Sequence, residues 1–219
     1  MSLDLMSRAD ETIEAPVNAI MPTILTDIYQ PQNNISIWER TLPTSLTDNI
    51  EQMLVQDSSI AIVKVVTPDD VADWIQYKLS GHACADALSE DIALIVEMFC
   101  CLFDLQQVGL RLTALDKAMC PNFHVDHVPC RLVSTYVGAS TQWLDKDDIE
   151  RVEQDTTSLK VSGPCVSFSN EGAAIQQMQP GDVALLKGTG WEGNEKSGLV
   201  HRSPALVNER RLLLTLDIV

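Results

Sequence analysis

The sequence predicts an α+β fold in which N-terminal helices pack on a C-terminal barrel or sandwich of strands. Two observations carry the prediction. The first half holds capped, helix-type segments that include the long apolar run SEDIALIVEMFCCLFDLQQV (89–108). After about residue 108 come short leucine- and β-branched-rich runs separated by Gly, Pro and polar turns, the pattern of a strand meander. At 219 residues with 45% hydrophobic content, the chain can bury one sizeable core. Residues 1–107 read as a mainly helical support region and 108–219 as the strand-built region, the two forming one integrated domain.

The elements follow in order. The first 35 residues are polar and proline-punctuated, so they are expected to wrap the surface or fray. TDNIEQMLVQD (47–57) suits a helix capped by Thr47 or Asp48. SIAIVKVV (59–66) is β-branched and predicts a strand. TPDDVADWIQYKL (67–79) opens with a cap, a proline and two acids, which favours a helix. The 89–108 helix is apolar enough to be buried on more than one face, with Cys100 and Cys101 as core residues. LRLTALDKA, CRLVSTYVG, TQWL, DVALLKG, GLVH and RRLLLTLDIV then predict strands. The acidic run DKDDIERVEQD (145–155) reads as a solvated helix start.

Charge narrows the partners. Fifteen Lys and Arg against 31 Asp and Glu leave a formal charge of −16. Nucleic acid and anionic lipid both need clustered cations, so neither is expected. No run of 18 apolar residues predicts a membrane span, and the acidic start lacks an export signal. A cytoplasmic protein is expected, acting on a small molecule or another protein, with its six cysteines reduced. A homodimer formed through a strand edge or a helix is compatible with this composition.

The chemistry concentrates in AMCPNFHVDHVPCRL (118–132), which carries Cys120, His124, Asp126, His127 and Cys130. With FHVDH as a strand, His124 and Asp126 point to one face and His127 to the other. A third ligand from elsewhere would complete the two-histidine, one-carboxylate set of non-haem Fe(II) oxygenases. His201 is the better of the two remaining histidines, because it ends a strand-like run and precedes another; His82 reads as a loop residue. Arg210 and Arg211 follow His201 by nine and ten residues, and Arg211 shares a strand face with Thr215. A guanidinium with a hydroxyl beside it can grip a carboxylate.

HVD, a histidine some 75 residues later and R-x-x-x-T in the closing strand together resemble the Fe(II)/2-oxoglutarate dioxygenase superfamily. RLVSTYVGASTQWL and GDVALLKG resemble the matching strands of its prolyl-hydroxylase-like members, over roughly residues 108–219. The resemblance implies a double-stranded β-helix (jelly-roll, cupin-like). It implies iron on His124, Asp126 and His201, and 2-oxoglutarate held by Arg211, with Arg210 as the competing anchor and Thr215 and Tyr136 as helpers. CPNFHVDHVPCRLVSTYVGASTQWL, GDVALLKGTGWEGN and HRSPAL…RRLLLTLD also resemble the bacterial family called domain of unknown function 1826. The association of some of its members with zinc-responsive gene clusters implies a role in metal homeostasis.

Competing readings stay open at this point. Cys120, His124, His127 and Cys130 form a four-ligand zinc set by residue type, although a strand would send the two histidines to opposite faces. That set predicts a non-catalytic Zn(II) protein, whereas His124, Asp126 and His201 around Zn(II) predict a hydrolase. GTGWEGNEKSG (188–198) lacks the glycine that a phosphate loop needs before Lys-Ser. It reads instead as a mobile lid beside His201, with Trp191 either facing substrate or packing.

Overall fold

The computed structural model describes residues 21–145 and 174–219. The acidic run beyond Asp145, Cys165 and the first 20 residues lie outside them. A 3-10 helix, Pro22–Tyr29, opens the described chain and buries Leu25 and Ile28. Three helices follow: α1 (Thr44–Gln56), α2 (Val71–Lys78) and α3 (Ala85–Phe103). The strands are β1 (Ile35–Trp38), β2 (Ala61–Val66), β3 (Val108–Leu115), β4 (Cys130–Val137), β5 (Gln142–Leu144), β6 (Ile175–Gln177), β7 (Val183–Lys187), β8 (His201–Arg202) and β9 (Arg211–Ile218).

All pairings are antiparallel. β1-β7-β4-β9-β3-β2 make a six-stranded sheet and β6-β5-β8 a three-stranded one. Alternation divides the large sheet into two faces. Leu212, Leu214 and Leu216 of β9 and Leu132 of β4 join one buried cluster with Ile50 of α1, Ile75 of α2 and Ile92 of α3. Val133, Ala184 and Leu186 turn the other way, into a smaller cluster with Leu199 and Trp143 of β5. The helices therefore share the first face, and the space between the two sheets is left for the second.

Helix ends moved where local hydrogen bonds compete. Helix α1 starts at Thr44, three residues before the expected cap. Thr67–Asp70 form a turn in which the Asp70 carboxylate accepts the Thr67 amide at 2.9 Å, delaying α2 to Val71. Helix α3 stops at Phe103 because Asp104 takes a left-handed conformation (φ 53°), which frees 108 onward for β3. Cys100 is buried as expected, but Cys101 is exposed. The 3-10 helix, β1 and β6 were not anticipated. FHVDH is not a strand: its ladder contact is one isolated bridge, His124 with His201.

A polar knot ties the helices to the sheet. Asp91 of α3 receives two hydrogen bonds from Arg40, at 2.5 and 2.9 Å, and a third from the Tyr136 hydroxyl at 2.7 Å. Tyr136 is fully buried at a bulge where the β4–β9 register shifts. Strand alternation puts its ring with Cys130 and Leu132 on the helix face, away from the site face that carries Thr135. The expected role of Tyr136 in holding 2-oxoglutarate is thereby overturned. Asp91→Ala should cost about 3–5 kcal/mol, because it leaves Arg40 charged and half-enclosed without its partner. Urea unfolding would measure that loss, with Tyr136→Phe expected at only ~1 kcal/mol.

Candidate metal centre

His124 and His201 are directly opposed across an antiparallel bridge, each donating its amide to the other's carbonyl at 3.0 Å. The pairing stacks the imidazoles with ring centroids 4.5 Å apart. Asp126 lies beside them, its carboxylate 3.7 Å from His124 Nε2 and 3.5 Å from His201 Nε2. One ligand atom from each of the three residues falls within 4.8 Å of the others.

The imidazoles are oriented by their other nitrogens. His124 Nδ1 lies 3.1 Å from the Asn122 carbonyl, and His201 Nδ1 lies 3.1 Å from the Leu199 carbonyl. A carbonyl only accepts, so both Nδ1 atoms carry a proton, and both Nε2 atoms face the carboxylate. Burial pushes the His201 pKa down to about 4; the Asp126 charge opposes the shift and His124 adds to it. His201 is thus neutral at pH 7, the form that binds a metal. Two imidazoles and a carboxylate fit a divalent transition metal.

The segment that carries Asp126 has no strand ladder of its own, and the 188–198 loop holds it. Thr189 donates its amide to the Asp126 carbonyl at 2.9 Å, and Gly188 donates to that of Pro129 at 3.0 Å. A Cβ on Gly188 would lie 2.1 Å from the Val128 carbonyl oxygen, and one on Gly190 2.6 Å from that of His127. Only glycine admits so close an approach. The loop is a buttress for the HVD segment, not the lid expected from its composition. Trp191 packs against Tyr29 and Phe103, with centroids 5.6 and 6.1 Å away, and with the Lys187 ammonium over its ring. It belongs to the packing and does not face substrate.

The cysteine-containing zinc set is not assembled. The described cluster contains His124, Asp126 and His201, without Cys120, His127 or Cys130. Cys130 points into the helix-side core, where burial pushes its thiol up to about 12 and disfavours the thiolate a metal needs. His127 turns outward, its Nδ1 3.0 Å from the Thr189 hydroxyl. His82 sits in the turn between α2 and α3, in an open pocket with Asp73, Tyr77 and Asp86.

The two arginines part company. Arg210 is exposed, and its guanidinium donates to the Leu54 carbonyl on the helix side. It is not available as a carboxylate anchor. Arg211 is 1% exposed and turns into the space between the sheets. Its Nε and Nη2 donate to the Thr135 hydroxyl at 3.1 and 2.9 Å, and Nη2 also donates to that of Thr141 at 2.8 Å. No carboxylate pairs with it among the described residues, and burial alone lowers its pKa to about 10. Thr215 shares the Arg211 face, opposite Val133, but the hydroxyls that Arg211 touches are those of Thr135 and Thr141. Sequence reasoning missed both; the even spacing from Arg131 to Thr135 on β4 was the available signal.

Thr141 precedes β5 by one residue, and His201 pairs with Trp143 of that strand. Two residues along and one strand across put Thr141 and His201 roughly 8 Å apart by strand spacing. An anion on Arg211 and Thr141 therefore lies within a short molecule's reach of the metal ligands.

Residues 20–217 match the family described as "Protein of unknown function (DUF1826)". No curated protein matches the sequence. Among solved structures, the chain is similar to the dioxygenase for auxin oxidation 1 of Arabidopsis thaliana in binary complex with 2-oxoglutarate. That likeness has a TM-score of 0.50 at 10% identity and covers 93% of this chain and 89% of the other. The rice dioxygenase for auxin oxidation scores 0.46 at 10% identity, over 86% and 74% of the two chains. A Pseudomonas putida prolyl-4-hydroxylase scores 0.44 at 10% identity, over 89% and 96%. At that identity the Arabidopsis likeness speaks for the fold alone, a mixed arrangement of helices and antiparallel sheets shared with that dioxygenase. No helix among the described residues is long and apolar enough to cross a membrane.

Two outcomes test this geometry. Gly188→Ala should displace the Asp126 segment and weaken metal binding by about 10–100-fold, the range for losing a ligand's supporting contacts. Titration calorimetry with Co(II) reads that loss. In the metal-free protein, the unfolded chain takes up a proton on His201 between pH 6.5 and about 4 while the folded chain does not. Stability should therefore fall as pH falls through that window. The slope should be shallower in His201→Gln, measured by urea unfolding at a series of pH values.

Proposed function

The chain belongs to the DUF1826 family over residues 20–217, and we propose that it is an Fe(II)- and 2-oxoglutarate-dependent oxygenase acting on a small molecule or a protein. The observation that carries this reading is Arg211, a buried guanidinium with no carboxylate partner among the described residues. Burying an unpaired charge is costly, so its retention beside the candidate metal ligands points to an anion that arrives with a ligand. The fold it shares with an enzyme solved with 2-oxoglutarate supports the same co-substrate.

In this reading His124, Asp126 and His201 would hold the iron. When bound, iron and 2-oxoglutarate would supply the electrons that activate dioxygen, one oxygen atom entering a substrate C–H bond and the other the succinate formed as the keto acid loses carbon dioxide. The chain's own part is binding and orientation. Arg211 receives the distal carboxylate, with Nη1 free of any hydrogen bond among the described residues. Thr135 and Thr141 accept from Arg211 and keep their hydroxyl protons to donate to the same carboxylate. Leu199, Val133 and Trp143 wall the space between the sheets with apolar surface and keep water from the reacting atoms.

Residues 1–107 would then be the helical support and 108–219 the metal-bearing part of one integrated domain. We place its action in the cytoplasm, with no nucleic-acid or membrane partner, as a monomer or homodimer. A second reading, a Zn(II) hydrolase or zinc-homeostasis protein, uses the same three donors, since two histidines and a carboxylate also suit catalytic zinc. It leaves Arg211 without a task.

The test begins with metal content, by mass spectrometry, of protein purified anaerobically without a metal-affinity tag. Iron lost in His124→Ala but kept in Cys120→Ala is expected. Arg211→Met should abolish 2-oxoglutarate binding and succinate release. It should also raise the melting temperature of the ligand-free protein, because an apolar side chain replaces an unpaired buried charge. Succinate release unchanged in Arg211→Met, or tightly held zinc without keto-acid binding, would sink the oxygenase reading.

A further inference from the structure

Asp126 is held by a clamp that the metal reading does not by itself require. Arg131 donates Nη1 to Asp126 Oδ2 at 2.8 Å, while its Nε and Nη2 make a bidentate pair with Asp217 at 2.7 and 3.0 Å. Arg131 and Asp217 are direct cross-strand partners on β4 and β9. The guanidinium is therefore fixed by the centre of the sheet, unlike a flexible surface pair. Asp126 precedes Arg131 by five residues on a segment with no ladder, so the sheet reaches its carboxylate only through Arg131.

We propose that Arg131 is a positioning residue that occupies one oxygen of Asp126, so that the aspartate offers a metal only the other. This rests on the metal site proposed above. A carboxylate can bind a metal through one oxygen or two. Oδ2 lies 3.5 Å from His201 Nε2 but accepts the Arg131 hydrogen bond, which leaves Oδ1, 3.7 Å from His124 Nε2, as the oxygen with no hydrogen bond among the described residues. A six-coordinate metal with two imidazoles and one carboxylate oxygen keeps three positions open. A keto acid that chelates through two atoms uses two of them, and dioxygen needs the third. An aspartate binding through both oxygens would leave one position too few. Arg131 also offsets the carboxylate's charge, which moderates its attraction for the cation.

Metal and co-substrate should therefore respond in opposite directions when the clamp is removed. A residue that merely tied the HVD segment to the sheet would lower both affinities together.

Anaerobic calorimetry would titrate Co(II), then 2-oxoglutarate, into the wild type, Arg131→Gln, Arg131→Lys, Asp217→Asn and the reference His124→Ala. Circular dichroism melts would confirm that each variant is folded. We expect Arg131→Gln to bind Co(II) as tightly as the wild type or more so. It should bind 2-oxoglutarate about tenfold more weakly or worse, although Arg211 is intact, and it should show an altered Co(II) visible spectrum. Arg131→Lys, which restores one donor and the charge, should recover part of the loss, and Asp217→Asn should fall between. Parallel loss of both affinities, or an unchanged spectrum and 2-oxoglutarate affinity, would overturn the clamp while leaving the metal site standing. A wild type that binds no Co(II), or a His124→Ala variant that binds it equally, would remove the metal reading and the clamp with it.

Discussion

The two-residue alternation of β9 is the constraint on which the rest of the molecule depends. Leu212, Leu214 and Leu216 bury themselves against the helices, which forces Arg211, Leu213, Thr215 and Asp217 onto the opposite face. That second face meets the small sheet. Arg211 comes to the Thr135 and Thr141 hydroxyls, and Asp217 grips the arginine that holds Asp126. A slip of one residue between β4 and β9 would send the charges into the helical core and the leucines into the site. The hydrophobic effect that stabilises the sheet is therefore what sets the direction of the polar groups.

The metal ligands depend on a different device. His124 and His201 are set by mutual amide–carbonyl bonds, but Asp126 lies where regular pairing has ended. Its carbonyl accepts the Thr189 amide, Gly188 and Gly190 donate to the carbonyls of Pro129 and Val128 just after it, and its carboxylate is held by Arg131. Irregular backbone near a site needs such partners, because each unpaired polar group would otherwise carry a desolvation cost. The glycines serve close contact here, since any Cβ would collide with the carbonyls it faces.

The buried polar groups divide into two kinds. Arg40, Asp91 and Tyr136 satisfy one another and join α3 to β4; they hold the fold together. Arg211 and His201 are desolvated in ways that oppose their charged forms, and neither gains a full counter-charge from the described residues. Groups left in that state lower the stability of the ligand-free protein. Their concentration where the two sheets face each other separates the part of the molecule built to bind from the part built to stand.

From the sequence alone, the strand-rich second half, the grouping of His124 and Asp126 with His201, and the common strand face of Arg211 and Thr215 were legible. The strands and the face of Arg211 follow from periodicity, which is local, whereas the histidine–aspartate group was legible from residue chemistry alone, since FHVDH forms no strand. Arg210 was misread because it lies just before β9 begins, and Tyr136 because the alternation that sets it with Cys130 and Leu132, opposite Thr135, was not followed along β4. No local signal marks the buttress formed by residues 188–198, Trp191 among its aromatic neighbours, or the Arg131 clamp. Each depends on segments distant in sequence meeting across two sheets. Tertiary contact alone decided which threonines Arg211 would touch, and that Cys130, crowded beside the histidines in sequence, would face the opposite side of the sheet.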